Sequence, residues 1–490
     1  MRTSRLLRMA LMVATAMLTA AAAQSQWTPA QNVPAIGAGA MALLTDGRVL
    51  IHDESGNPGT WGNWWTLTPD LNGNYASGTW TQVASLPSGY GPLYFGSAVL
   101  PDGRYIIEGG EYNLGAYAWT TKGAVFDPVA NTWTSVAPPP GWVSIGDAPS
   151  AVLTNGTFFL GSCCMDPPAA VLLNASNLTW TPTGSGKFDI YVEEGLTLLP
   201  GGKLLDVDTY GNINDPNGKN WETYDPGTGD WTVQGSTPVQ LWDSCASHEI
   251  GPAVLMANGT SYQAGANSCG AGHTAYYTVS TATWTAGPDF PDSLNIGDGP
   301  GALETNGNVL LMASPGLYQT GSVFFEWNGS TLTQIPGPPN APNDSSYYGH
   351  MLMLPNGQIL FTDFSNDVEL FTSTGSQYTG WTPTVLLSST TLVRGHTYTI
   401  SGSKFNGVSQ NNAYGDDFQD ASNYPLVRFV NPTTGQVYYG RTHDHSTMAV
   451  GYSGPTYTHL DVPSGMPAGG YNLQVVVNGI ASASYLVAIH

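Results

Sequence analysis

Short apolar runs punctuated by Gly, Asn and Asp set the rhythm of this chain. Seven segments share one pattern: GAMALLTDGRVLIHD, GSAVLPDGRYIIEGG, SAVLTNGTFFLGS, GLTLLPGGKLLDVD, PAVLMANGTSYQAG, GALETNGNVLLMA and HMLMLPNGQILFTD. Each reads as strand, tight turn, strand, because Asp-Gly or Asn-Gly between apolar runs supplies the backbone geometry a hairpin needs. The turns fall at Asp46, Asp102, Asn155, Gly201, Asn258, Asn306 and Asn356, roughly 50 residues apart. A second motif lies between them, GTWTQV, NTWTSV, LTWTPT, GDWTVQ and ATWTAG, carrying Trp80, Trp133, Trp180, Trp231 and Trp284; Trp27 and Trp381 mark copies at the two ends. Two hairpins per period make four strands, the content of one propeller blade. Seven units therefore predict a seven-bladed kelch-type β-propeller over residues 24–385, with the Trp-Thr pairs packing blade against blade.

Beyond residue 386 the repeat stops. TLVRGHTYTISGSKFNG and LDVPSGMPAGGYNLQVVVNGIASASYLV read as short alternating strands with Gly/Pro turns, which predicts an Ig-like sandwich over 386–490. The fold class expected is thus all-β. Residues 1–23 have a basic start at Arg2, Arg5 and Arg8, a short apolar run and an Ala-rich end, the pattern of a secretory leader. Its removal takes three arginines and no acid, moving the net charge from −22 to −25. So acidic a surface argues against nucleic acid and anionic membranes as partners and is compatible with a glycan. A monomer is expected, since no heptad or long amphipathic helix is present. Four cysteines in an exported chain point to two disulfides. Cys245 and Cys269 flank the fifth hairpin, whose two ends meet on one rim, so they are expected to pair; that leaves adjacent Cys163 and Cys164 as a candidate vicinal disulfide or a redox pair, with their pairing left open.

The start of each innermost strand faces the axial channel of a propeller. The equivalent position in the seven blades reads Ala38, Tyr94, Asp147, Glu193, Glu249 (or its neighbour Ile250), Asp298 and Tyr348. Acids are only 35 of 490 residues, so four in a set of seven is far above chance. His248 and Glu194 flank the set, and Asp53, Glu111, Asp166 and Asp208 sit near the hairpin exits. Converging carboxylates repel, which raises at least one pKa and creates an acid–base pair. The same groups could instead hold Ca²⁺ or a transition ion, or bond to backbone N–H groups of the next blade.

Seven such blades followed by a small β domain with NYPLVRF and THDHSTM inside it resemble the galactose oxidase and glyoxal oxidase family. The resemblance implies a mononuclear copper site at the propeller axis, held by two tyrosines and two histidines, with one tyrosine cross-linked to a cysteine. Matched residue by residue, the cross-linked tyrosine falls on Tyr94, the axial tyrosine on Tyr347 and the aromatic covering the cross-link on Tyr112. The histidine after the axial tyrosine is Tyr348 here, with His350 two residues on and, in a strand, on the same side. The histidine sent down the axis by the C-terminal domain matches His445, with His443 second. The cysteine position is Ala38, so the thioether cannot form.

Three functions follow. The first is a secreted carbohydrate-active enzyme, hydrolase or lyase, using Asp147, Glu193, Glu249 and Asp298 as acid and base, with Tyr94, His248 and His445 beside them. The second is a copper (or other divalent-metal) oxidoreductase without the cross-link, using Tyr94, Tyr347, His350, His443 and His445. The third is a non-catalytic glycan- or protein-binding propeller, for which Trp61, Trp64 and Trp65 would offer a stacking platform.

Overall fold

The computed structural model describes residues 26–210, 218–416, 418 and 420–490; the expected leader lies outside them. Apart from five short 3₁₀ turns, every regular element among the described residues is a β-strand. Seven antiparallel blades form the ring, six of them four-stranded sheets and the seventh the four blade strands of a six-stranded sheet. Their innermost strands are Ala38–Leu43, Gly96–Val99, Ser150–Val152, Thr197–Leu198, Ala253–Leu255, Gly301–Leu303 and His350–Met353, numbered here as blades 1 to 7. Blade 7 packs back against blade 1 and takes its outermost strand from the start of the chain, Trp27–Pro29 pairing with Glu369–Phe371.

All seven predicted turns connect the first and second strands of their blades. Each glycine after the turn residue is left-handed, from Gly47 (φ 81°) to Gly357 (φ 87°). The Asp or Asn before it accepts the N–H two residues on, as Asp46 does from Arg48 (3.1 Å) and Asn306 from Asn308 (2.7 Å). That is the local chemistry that makes Asn-Gly a turn signal.

Four of the repeated tryptophans link successive blades through their indole N–H, whereas Trp231 donates to the Tyr191 hydroxyl and Trp381 lies in a 3₁₀ turn after the last blade. Trp133 donates to Ala84 O at 2.9 Å, Trp180 to Ala137 O at 2.7 Å, Trp80 to Gln31 O at 3.3 Å and Trp27 to Pro336 O at 2.8 Å. Each of these four acceptors lies just past the outermost strand of the preceding blade. Trp61, Trp64 and Trp65 form no common platform: Trp64 is fully buried against His52, Phe95, Tyr105 and Trp133. Both disulfides form, Cys245–Cys269 and Cys163–Cys164.

From Thr384 onward a nine-stranded sheet folds over its own core, which includes Val385, Ile400, Phe429, Leu460, Tyr471 and Val487. Its strand Val437–His443 changes partner midway, pairing first with Leu426–Val430 and then with Pro455–Asp461, which joins the two layers of an Ig-like sandwich. The sandwich sits on the face of the ring that carries the hairpin turns. Thr442 N–H donates to Thr45 O (3.1 Å), Arg441 to Asp102 O (2.7 Å) and Met448 N–H to Thr154 O (3.0 Å).

One segment of this C-terminal part leaves the sandwich and enters the ring. Asn412–Ala413 adds to the inner strand of blade 6, Gln410 accepts from Leu198 N–H of blade 4 (2.7 Å), and Asn412 accepts from Met353 N–H of blade 7 (3.1 Å). Gly195 and Gly415 permit the close approach, since a Cβ on Gly195 would lie 2.0 Å from Gly415 O. This finger ends at Tyr414–Asp416, on the opposite side of the ring from the turns.

Candidate functional site at the axial pocket

A cavity of about 530 Å³ opens there. Tyr94, Asp147, Glu193, Glu249 and Asp298 line it from the entry to five inner strands, Tyr347 from the turn before blade 7, and Asp416 from the tip of the finger. The four acids singled out in the sequence therefore meet. Local backbone explains how: Tyr94 (φ 53°), Glu193 (φ 53°) and Asp298 (φ 46°) are left-handed, as are Gly146 and His248 immediately before Asp147 and Glu249. A left-handed residue at the mouth of a strand turns the chain sharply, and for a non-glycine residue it costs roughly 1–3 kcal/mol, a cost that concentrates at functional sites.

The carboxylates fall into two triads sharing Glu193. In Asp147–Glu193–Asp416 and in Glu193–Glu249–Asp298, one oxygen from each residue lies within 4.8 Å of the others. Burial, then the charges of Asp416 and Glu111, hold Asp147 well above the usual carboxylate range. Burial, followed by Glu249, Asp416, Asp147 and Asp298, does the same to Glu193. Burial raises Glu249 too, but the Tyr318 hydroxyl that it accepts pulls it back. Glu111, on the wall, is pushed up to about 7 by burial and Glu249. Carboxyl groups raised to different degrees by burial and by one another thus face each other across the pocket, an arrangement from which an acid and a base can be drawn.

Three lining groups escaped the sequence reading of the rim. Asp416 and Tyr318 lie on loops outside the hairpin repeat, and Glu111 was noted only as a hairpin-exit acid. Tyr112 and Trp61 complete the aromatic part of the wall, with the Tyr112 ring 6.2 Å from that of Tyr94. Glu194 turns the other way. With Asp189, Asp206, Asp208 and Glu222 it surrounds buried Lys187, whose Nζ lies 2.7–3.1 Å from all five.

The histidines are a correction. His350 does not share a side with Tyr348, because Ser346–Tyr348 is a 3₁₀ turn and the strand starts only at His350. Its ring is buried beneath the pocket, parallel to Tyr414 at 5.2 Å and edge-on to Phe418 at 4.6 Å, and burial lowers its pKa to about 4. His443 and His445 lie on the sandwich, at the turn-bearing face. His445 N–H donates to Pro101 O (3.3 Å), its Nδ1 is 2.9 Å from Thr458 Oγ1, and burial lowers it to about 3. The two rings do not face one side, since the strand ends at His443 and Asp444 is left-handed (φ 50°). His248 is clamped between Trp242 and Tyr210 with Nδ1 3.1 Å from Thr209 O, outside the pocket lining.

A copper centre of the expected kind therefore finds its two tyrosines, Tyr94 and Tyr347, but no imidazole among the described lining residues. Ala38, at the cysteine position, is fully buried. The donor set is carboxylate and phenol oxygen, which suits hard cations and protons rather than the nitrogen ligation favoured by copper. The residues present do not fit that centre.

No protein-family model matches the chain, and no curated protein matches it either. Among solved structures it is similar to a novel fungal alcohol oxidase with catalytic diversity among the AA5 family, in complex with copper. The match has a TM-score of 0.53 and 15% identity over 94% of this chain and 99% of that one. At that identity the likeness speaks for the all-β fold alone.

Proposed function

We propose that the chain is an exported enzyme that acts on a neutral, polyhydroxylated substrate, a glycan or small carbohydrate, in the axial pocket by carboxylate acid–base chemistry. The observation that carries this reading is the convergence of Asp147, Glu193, Glu249 and Asp298 from four blades, with Asp416 from the finger, on one cavity. Glu193, raised by burial and by four acidic neighbours, is the proton donor. Glu249, held partly down by Tyr318, is the acceptor with Asp298. Asp147 and Asp416 keep Glu193 protonated, and ionised oxygens accept hydroxyl protons of the substrate while Trp61, Tyr94 and Tyr112 offer aromatic faces. Proton transfer of this kind contributes about 10²–10⁴-fold to a rate. Hydrolysis and elimination both use it. The expected leader and the two disulfides support export.

A second reading, a copper oxidoreductase, is favoured by the likeness to a copper-bound alcohol oxidase over hydrolysis or elimination, and by Tyr94 and Tyr347 in the pocket. One experiment separates them. The purified chain is assayed on panels of polysaccharides and primary alcohols, with and without added copper, following new reducing or unsaturated ends and peroxide. The proposal expects carbohydrate products without copper, abolished in Glu193→Gln with its thermal melt intact. Copper-dependent peroxide release would replace it with the second reading.

A further inference from the structure

We propose that His443, Asp444 and His459 form a binding site for a divalent transition-metal ion of the copper–zinc class, on the C-terminal sandwich and separate from the axial pocket. His443 and His459 are direct register partners on adjacent antiparallel strands, so their side chains leave the same face of the sheet. Their ring centroids are 5.4 Å apart. The left-handed backbone of Asp444 folds its carboxylate back beneath both rings. Asp444 Oδ2 lies 2.8 Å from His443 Nδ1 and 3.4 Å from His459 Nδ1. One donor atom from each of the three residues lies within 4.8 Å of the other two. An ion about 2.0–2.2 Å from each is compatible with that spacing.

The surroundings are those of a prepared ligand. His443 Nε2 is 3.3 Å from Asp461 Oδ1, and a proton on Nε2 leaves the Nδ1 lone pair pointing at the site. Asp461 is itself anchored by Thr397 Oγ1 (2.6 Å) and Arg441 (3.1 Å). A carboxylate behind a metal-ligating imidazole fixes its tautomer and orientation and raises its basicity. The side chains of Asp444 and His459 are 56% and 36% exposed, against 16% for His443, so an ion can enter from solvent and keep coordination positions open for water or a further ligand. Two imidazoles and one carboxylate suit Cu(II), Zn(II) and Ni(II), with Cu(II) tightest.

The test is a copper(II) titration of the full chain, stripped with chelator, followed by calorimetry and electron paramagnetic resonance. The expected result is one tight equivalent whose spectrum shows nitrogen coupling from two imidazoles. Asp444→Asn, at an exposed position, and His459→Ala, at a half-buried one, remove the stoichiometric site with the thermal melt preserved. Asp461→Asn weakens it about 10–100-fold. Tyr347→Phe and Glu193→Gln leave it unchanged, which separates it from any ion in the axial pocket. Nitrogen-coupled copper that survives His459→Ala, or no tight copper on the folded wild type, would overturn the proposal.

Discussion

His350 is buried and lies outside the described lining of the axial pocket. No side chain satisfies its ring nitrogens, which meet at most the backbone of Tyr348, and burial lowers its pKa to about 4. Replacement by Phe removes a buried, poorly satisfied imidazole while keeping a ring that packs on Tyr414 and Phe418. His350→Phe is therefore expected to melt at or above the wild-type temperature and to keep pocket activity; loss of activity with the fold intact would restore His350 to the site. Lys187 is the opposite case. Desolvation opposes its charge, but Asp206, Glu194, Asp208 and Asp189 outweigh that and raise its pKa. Lys187→Met would strand five buried acids without a counter-charge, and breaking a buried ionic group costs about 3–5 kcal/mol, readable in chemical denaturation. At this scale the sequence was legible where a repeat gave a ruler. The rim acids were found because they occupy equivalent places in successive blades. His350 was misplaced because strand alternation positioned it and a 3₁₀ turn just before it breaks that alternation; His445 and His443 were placed by the family resemblance, and both stay on the sandwich.

Among the elements, the closing strand and the finger matter most. Trp27 buries its indole against Phe361 and Phe371 of its own blade and Phe324 of blade 6 and donates to Pro336 O, so it fastens the strand that completes blade 7 against blade 6. Trp27→Ala is expected to cost about 3–5 kcal/mol, seen as a lower midpoint in urea. The finger depends on Gly195, where a Cβ would meet the backbone oxygen of Gly415. Gly195→Val should displace Asp416 from the pocket and abolish activity while the ring, whose strands do not need the finger's tip, retains its circular dichroism. Hairpins and the Trp-Thr strands were written in apolar periodicity and turn residues. The finger was not, because VSQNNAYGDD has no alternation. It is held by Asn and Gln side chains and by a two-residue strand, interactions that leave no period to read.

For the molecule as a whole, buried acids govern the response to pH. Burial raises Glu304 to about 8, Asp344 to about 8 and Glu369 to about 9. The folded chain keeps protons that the unfolded chain releases above the ordinary carboxylate range, so stability falls as pH rises through these values. His350 and His445 are neutral in both states above about 6.5 and contribute nothing there. The thermal midpoint should therefore decline from pH 6.5 to 9, with a shallower slope in Glu369→Gln; a midpoint that rises with pH would contradict the assignment.

The same physics, concentrated at the axis, is the core of the account: the pocket keeps a carboxylic acid protonated beside ionised ones at neutral pH. Infrared difference spectroscopy of wild type against Glu193→Gln at pH 7 tests this without knowledge of the substrate. The account predicts loss of a protonated-carboxyl C=O band in the variant. Loss of a carboxylate band instead would show Glu193 ionised and remove the proton donor on which the proposed chemistry depends.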